Sequence, residues 1–382
     1  MKTLILSCNT GEGHNACACA IQEYYDSMQE QCIIKDALAF VSEEISKLVA
    51  KGHILIYRKL SPVFGWGYEY AQNHPETFDE DSGIYHFFAR GTESLYQYIG
   101  ENGFEQIICT HPFAALMVTE LRRRCNLCVD TAFVATDYTC CPGVNCSDLD
   151  IYFIPDALLT REFADSGIPE SKLVPSGIPI RQAFYERTDP EIARTEFQIP
   201  AHNRHIVMAS GSMGCGPLEE LSEEIAPRLG ECTDVTIVCG TNEKLLSSME
   251  ALHRENPRVH VRGFVKDMPL LLDSADVYVT KPGGLSVTEA QAKGLFMVLV
   301  NAVGGCESYN LNHLLTSGKA VTADTVEKLA HVCLQAAEHP VQKSGRSSVT
   351  NAAKMIYETM KMRTLSNEAK QMASSCPAGG PA

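Results

Sequence analysis

Three times along this chain a short apolar run passes at once into a glycine-bearing turn and then into a pattern of helical period. "TLILSC" runs into "NTGEGHNACACAI" (Asn9 to Ile21), "HIVMA" into "SGSMGCG", and "VYVT" into "KPGGLSVTEA". A strand that hands over to a helix through glycines belongs to a parallel sheet covered by helices on both faces, so the junctions predict an α/β fold. In such folds ligands bind beyond the carboxyl ends of the strands, where these turns lie.

The alternation falls into two series. In the first, strands are predicted at Thr3 to Cys8, Gln106 to Cys109, Val129 to Ala135 and Ile151 to Ile154, and helical periodicity at Ala16 to Gln29, Ser42 to Leu60 and Phe113 to Arg123. A polar, proline-containing stretch, "ERTDPEIARTEFQIPAHNR", then separates the halves near Arg187. The second series has strands at His205 to Ala209, Val235 to Cys239, Val259 to Val261, Val277 to Thr280 and Phe296 to Val300. The expected organisation is one domain over residues 1–187, a second over 188–365, and a disordered tail over 366–382, rich in small residues, proline and glycine. The 382 residues suffice for two cores.

A net charge of −15 argues against general binding to nucleic acid, which needs a basic surface. The apolar run before Ser7 is short for a signal peptide, and no run approaches the ~20 residues that span a bilayer. The expected location is the cytoplasm or the inner face of a membrane. Sixteen cysteines suggest reduced thiols that pack as small hydrophobes. Cys125, Cys128, Cys140, Cys141 and Cys146 include one C-x-x-C, but no second pair completes a zinc pattern, so no metal site is expected.

The turns themselves suggest an anion. Gly211, Gly214 and Gly216 follow a strand directly, and Gly283, Gly284 and Ser286 repeat the arrangement with Glu289 in the following helix. Glycines let backbone N–H groups approach a phosphate, the helix N-terminus adds a favourable dipole, and a carboxylate such as Glu289 accepts bonds from a ribose diol. Either turn alone is equally an ordinary tight turn; two in one half carry more weight. The first-half turn is not a dinucleotide fingerprint, because Ala16 stands where the third glycine would fall.

The order "VMASGSMGCGPL", "VTIVCGTNEKL", "VRGFVKDMP", "SADVYVTKPGGLSVTEA" and "GGCESYNLNHLL" resembles the GT-B glycosyltransferases that include monogalactosyldiacylglycerol synthase and the bacterial UDP-sugar:diacylglycerol glucosyltransferases. It is more distantly similar to the lipid II GlcNAc transferase. "NTGEGHNACACAI", "THPFAA", "VATDY" and "SGIPIRQAF" fit the first two in the same order, and the resemblance covers roughly residues 1 to 340. It implies two Rossmann-like domains facing each other across a cleft. It also implies inverting transfer of galactose or glucose from a UDP-hexose to diacylglycerol, with no cofactor beyond the donor substrate.

Position by position, the resemblance puts uracil against Gly263, Phe264 and Val265, and Glu289 on the ribose. Gly284, Leu285 and Ser286 would meet the diphosphate, with Gly211, Ser212, Gly214, Lys281 and Gly283 in the same donor site. Glu307 and Asn310 would face the hexose. Where the family has glutamine before that glutamate, this chain has Cys306, a poor hydrogen-bond donor. A transferase acting on a polyprenyl-linked acceptor, an epimerase on the same fold and a non-catalytic UDP-sugar sensor are the competing readings.

On the acceptor side, Lys47, Lys51 and Arg58 share one face of the helical pattern between Ile45 and Tyr68, and the only tryptophan, Trp66, follows in "SPVFGWGYEY". A basic amphipathic helix followed by aromatics suits an anionic membrane; the same pattern also fits a core-facing helix with solvated lysines. Arg122, Arg123 and Arg124 either add to that attraction or end their helix. Gly11 and Gly13 keep the "TGEGH" turn low beside the acceptor, with His111 of "THPFAA" on the same side. Inverting transfer needs a base at the acceptor hydroxyl. His14 is the leading candidate, a neutral imidazole being suited to the task near pH 7. Asp137 is the rival base or the carboxylate that orients the system, and the bland alternatives for His14 are a helix cap or a hydrogen bond to the donor's sugar or phosphate.

Overall fold

The computed structural model describes residues 1–10, 12–49, 52, 61–125, 127, 129–211, 214, 216–300, 304–339 and 349–375. The first sheet holds β1 (Lys2–Ser7), β2 (Gln31–Asp36), β3 (Gln106–Cys109), β4 (Asp130–Val134), β5 (Ile151–Ile154) and β6 (Leu173–Pro175), in the order β2-β1-β3-β4-β5-β6. The second holds β7 (Arg204–Ala209), β8 (Thr233–Val238), β9 (Val259–Arg262), β10 (Val277–Thr280) and β11 (Phe296–Leu299), in the order β11-β10-β7-β8-β9. Every pairing is parallel. The central strands are buried on both faces, as Leu4, Ile5 and Leu6 of β1 show, and this is why they read as continuous apolar runs.

β2 and β6 were not anticipated. Both are edge strands: in β2 only Cys32 is buried, and β6 has three residues and ends in proline. Neither shows the apolar run of a central strand.

Each sheet reverses its strand order once, between β1 and β3 and between β7 and β10. These switch points are where a doubly wound sheet opens a crevice for a ligand. Five helices bear on them: α1 (Glu12–Ser27), α2 (Ser61–Asn73), α3 (Pro112–Arg124), α4 (Gly284–Ala292) and α5 (Cys306–Thr316).

The last helix, α6 (Ala352–Ser375), corrects the expected division of the chain. Residues 352–365 were assigned to the second unit and those from Ser366 to a disordered tail. Residues 352–375 instead form one helix that returns to the first sheet, and residues 376–382 lie outside the described residues. Ile356, Tyr357 and Met360 share a core with Ile21 and Tyr25 of α1. Arg363, Thr364 and Asn367 all donate to the buried carboxylate of Asp130, at 2.8, 2.7 and 2.7 Å. The spacing of Ile356, Met360 and Thr364 makes one helical stripe, and burying it outweighs the polar composition around it.

Candidate active site

The two units meet at the carboxyl ends of their strands. Gly284, at the start of α4, lies so close to the loop after β4 that a Cβ would fall 2.0 Å from the Thr136 carbonyl oxygen and 3.3 Å from Asp137 Cα. Only glycine fits. The sequence placed Gly284 and Leu285 at a diphosphate. Gly284 is buried against the opposite unit, and the Leu285 side chain packs against the first-unit core around Ile21 and Ile356, so neither has a side chain to offer there. What remains for an anion is the backbone of this first turn, whose N–H groups carry no side-chain cap.

His14 sits on the third residue of α1, across from this contact. Its Nδ1 lies 2.7 Å from the Thr110 carbonyl oxygen, which can only accept, so Nδ1 carries the proton and Nε2 keeps its lone pair. Thr136 Oγ1 lies 3.1 Å from the same Nδ1 and reaches Asp137 Oδ2 at 3.4 Å. Burial lowers the His14 pKa from its ordinary value, with the Asp137 charge and the Thr110 bond opposing. The ring is therefore neutral near pH 7, with one basic nitrogen. The hydroxyls of Thr10 and Thr110, both buried beside this turn, find no hydrogen-bond partner among the described residues. Orphaned buried hydroxyls beside a neutral imidazole fit a polar ligand.

His111 does a different job from the acceptor contact expected of it. Its Nδ1 accepts from Phe113 N at 3.1 Å and caps α3, while its ring meets His14 edge-on at 4.5 Å. The arginine triplet ends α3 and is paired within the protein: Arg122 with Asp150 at 3.2 Å, Arg123 with Glu80, and Arg124 with Glu120.

Asn310 was expected to face a hexose. It is fully buried, and its Nδ2 donates to Asp137 Oδ1 at 2.8 Å and to the Pro282 carbonyl at 2.9 Å, while Oδ1 accepts from Tyr138 N at 2.6 Å. Tyr138 enters the second unit beside it. Its hydroxyl bonds Thr288 at 2.8 Å and Gln291 at 3.0 Å, and its ring stacks on His313 at 4.9 Å. Sequence reasoning missed Thr110, Thr136 and Tyr138, because a threonine or tyrosine at a strand end carries no motif of its own.

On the donor side Lys281 pairs with Glu307 at 2.7 Å and runs along Gly211, where a Cβ would come within 2.9 Å of its Cε. Gly283 lies beside the same lysine, and Gly214 N bonds the Gly211 carbonyl at 3.2 Å, closing the turn. Burial pushes the Cys306 thiol well up, with Asp137, Cys141 and Glu307 adding and Lys281 opposing, so it stays protonated among these groups. Glu289 of α4 is pushed up to about 8 by burial against the pull of Arg181. Gly263, Phe264 and Val265 follow β9, and the Phe264 ring is 68% exposed. Ser286 is half-buried in the first turn of α4.

Away from the cleft, helical residues 43–49 present Leu48 to solvent, 70% exposed, with Lys47 paired to Glu43 at 3.5 Å. Trp66 is 68% exposed and lies 5.8 Å from the exposed ring of Tyr70. Gly11, Lys51, Arg58 and Ser212 lie outside the described residues. Among the described residues no helix is long and apolar enough to cross a membrane.

Two family models divide the chain as the two sheets do. Residues 14–180 match monogalactosyldiacylglycerol (MGDG) synthase, and residues 204–339 match glycosyl transferases group 1. The fold is GT-B, its first unit matching the monogalactosyldiacylglycerol synthase family and its second the group 1 glycosyl transferases. The chain is similar to the processive diacylglycerol beta-glucosyltransferase of Bacillus cereus, 27% identical over 330 residues, covering 84% of this chain and 81% of the relative. The Bacillus subtilis protein of the same name is 25% identical over 345 residues, covering 86% and 85%. Two solved structures share the fold. Acinetobacter baumannii MurG has a TM-score of 0.58 at 13% identity, covering 94% of this chain and 99% of its own. Neisseria meningitidis UDP-GlcNAc 2-epimerase has a TM-score of 0.60 at 11% identity, covering 95% and 100%.

Proposed function

We propose that this glycosyltransferase moves a hexose, glucose or galactose, from a UDP-hexose to the free hydroxyl of diacylglycerol, with inversion to a β-glycoside. The observation that carries the reading is the His14 ring, neutral and with Nε2 as its basic nitrogen, facing the uncapped start of α4 across the cleft. In the transfer the acceptor oxygen attacks the anomeric carbon, Nε2 takes its proton, and the bond from that carbon to the UDP oxygen breaks. Asp137 stabilises the imidazolium that forms, through Thr136 and by its charge.

The leaving diphosphate is met by the first-turn N–H groups of α4 and by the Gly211 turn, with Lys281 beside it; these supply the stabilisation, without a divalent cation. The ribose diol donates to Glu289 and favours its ionised form over the protonated one that burial favours in the free protein. The exposed Leu48, Trp66 and Tyr70, with the basic residues that the sequence supplies around them (Lys47, Lys51 and Arg58), meet an anionic membrane at its inner surface.

The test is incubation of the purified protein with radiolabelled UDP-glucose or UDP-galactose and diacylglycerol vesicles, with and without EDTA. Label in the lipid phase, retained in EDTA, supports the reading. A converted nucleotide sugar means an epimerase, binding without turnover means a sensor, and label only with a polyprenyl-phosphate acceptor means a different lipid substrate.

A further inference from the structure

Asn310 is the residue whose contacts the transfer chemistry leaves unexplained. It stands on α5, in the second unit, yet its amide reaches the first unit twice, at Asp137 Oδ1 and Tyr138 N. Its other Nδ2 hydrogen goes to the Pro282 carbonyl, in the loop between β10 and α4. The side chain is wholly buried, and each hydrogen of its NH2 group has an acceptor. An amide with a fixed fork of this kind holds a carboxylate at one rotation, and it does so only while the two units touch.

From this geometry we infer that Asn310 is a positioning residue, which holds the Asp137 carboxylate in its working orientation toward Thr136 and His14 only when the cleft is closed. Closure and acid–base competence are thereby one event. The close backbone approach of Gly284 to Thr136 and Asp137 lies beside the same carboxylate, so parting the units removes both the steric support and the amide. An open cleft then leaves His14 without an oriented counter-charge, and water entering it meets a base that is not set for proton transfer. The inference rests on the reading of His14 and Asp137 as the acid–base pair.

The groups that face this pair limit what else moves its titration. His14 is faced by His111 of α3 and by Asp137. Asp137 is faced by Cys306 of α5, and by Cys141 and Tyr68 of α2, all three of which burial keeps protonated well above neutral pH. Lys281 and Glu307 pair with each other next to Cys306. Asp137 is thus the group whose change of orientation His14 would feel.

The experiment compares wild type, Asn310→Ala, Asn310→Asp and Thr288→Val in the lipid-transfer assay from pH 5 to 9, with UDP affinity by calorimetry. Thr288→Val removes another hydrogen bond between the units, to Tyr138, without touching Asp137. Asn310→Ala is expected to lower kcat by about 10- to 100-fold, the range in which misplacement of a working group is felt. UDP affinity stays within about twofold. The acid limb of kcat should move down by about 0.5–1 pH unit, as the freed carboxylate turns away from the imidazolium whose charge it favours. Asn310→Asp puts a second carboxylate against Asp137 and should lower kcat further, because two carboxylates at that range share a proton. Thr288→Val should leave the limb in place. An Asn310→Ala protein with an unmoved limb, or one whose shift Thr288→Val reproduces, makes Asn310 a tie between the units and overturns the inference. If His14→Ala leaves the wild-type limb unchanged, it is the acid–base reading that fails.

Discussion

Two strand-to-helix junctions face each other in this protein, and they solve different problems with the same local shape. One follows β1 and leads through Asn9 to His14; the other follows β10 and leads through Pro282 to Gly284. Both stand at the switch point of a doubly wound sheet. The first junction presents a side chain, an imidazole whose tautomer the Thr110 carbonyl fixes. The second presents backbone, and its glycine presses against Thr136 where no side chain fits. Proton transfer needs a titratable group held at one orientation, whereas binding a diphosphate needs only N–H groups and a helix end. The chemistry required at each junction decides which kind of residue it carries.

The comparison breaks most visibly at His14. His14→Ala should lower kcat by about 10²- to 10⁴-fold, the usual contribution of a general base. UDP affinity by calorimetry should hardly change, because the proposed nucleotide site lies on the other junction. A large loss of UDP affinity would mean that the first junction binds the donor.

Next comes a matched pair of glycine substitutions. Gly284→Ala places a Cβ where the Thr136 carbonyl already stands, so the units must part. Overpacking of that kind costs about 1–3 kcal/mol, and it should lower the melting temperature and reduce transfer at least tenfold. Gly13→Ala meets nothing closer than Leu285 Cδ1 at 3.9 Å and should keep or raise the melting temperature. Equal thermal stability in the two variants would show that the close approach is not part of the working state.

Glu289→Gln should raise the KM for UDP-hexose several-fold with a smaller change in kcat, since ribose contacts are equal in ground and transition states. It has a second signature. The folded carboxyl is pushed from 4.5 up to about 8, so between those values the folded protein holds a proton that the unfolded chain has released. Stability therefore falls as pH rises through that window, and Glu289→Gln should flatten the fall. Melting curves at pH 5 and pH 8 without nucleotide check this; equal pH dependence in both proteins would show that Glu289 is not buried in its acid form. The smallest effect is at the outer face. Lys47, Lys51 and Arg58 changed together to glutamate should weaken sedimentation with anionic vesicles at low salt, each residue contributing about 1 kcal/mol there, and leave UDP binding intact. Unaltered sedimentation would remove that face from the membrane.

Much of this was readable in the sequence, for a physical reason. Central strands of a parallel sheet are buried on both faces, so Gln106–Cys109, Ile151–Ile154 and Val277–Thr280 announce themselves as short apolar runs. Edge strands do not: Gln31–Asp36 is mostly partly exposed, with polar residues at both ends, and Leu173–Pro175 is too short to stand out. The return of Ala352–Ser375 to the first sheet was hidden because its partner, Asp130, lies more than two hundred positions away in sequence. Asn310 teaches the same lesson within the site. Its motif placed it near the chemistry, but only the meeting of the two units reveals that its amide is engaged by Asp137, Tyr138 and Pro282. The arginine triplet, open to two readings in the sequence, pairs with Asp150, Glu80 and Glu120, none of which its own neighbourhood discloses beyond Glu120.

The central claim is that the neutral His14 ring, and not Asp137, takes the acceptor proton. The pH dependence of kcat at saturating donor, measured for wild type, His14→Ala and Asp137→Asn, tests it most directly. Because burial lowers the His14 pKa from 6.5, the wild-type rate should fall on an acid limb below that value. Asp137→Asn should keep an acid limb at reduced rate, shifted lower still because the opposing charge is gone, and His14→Ala should lose the limb with most of the turnover. An acid limb in the ordinary carboxylate range near 4, surviving in an active His14→Ala protein and abolished in Asp137→Asn, would contradict the account and make Asp137 the base.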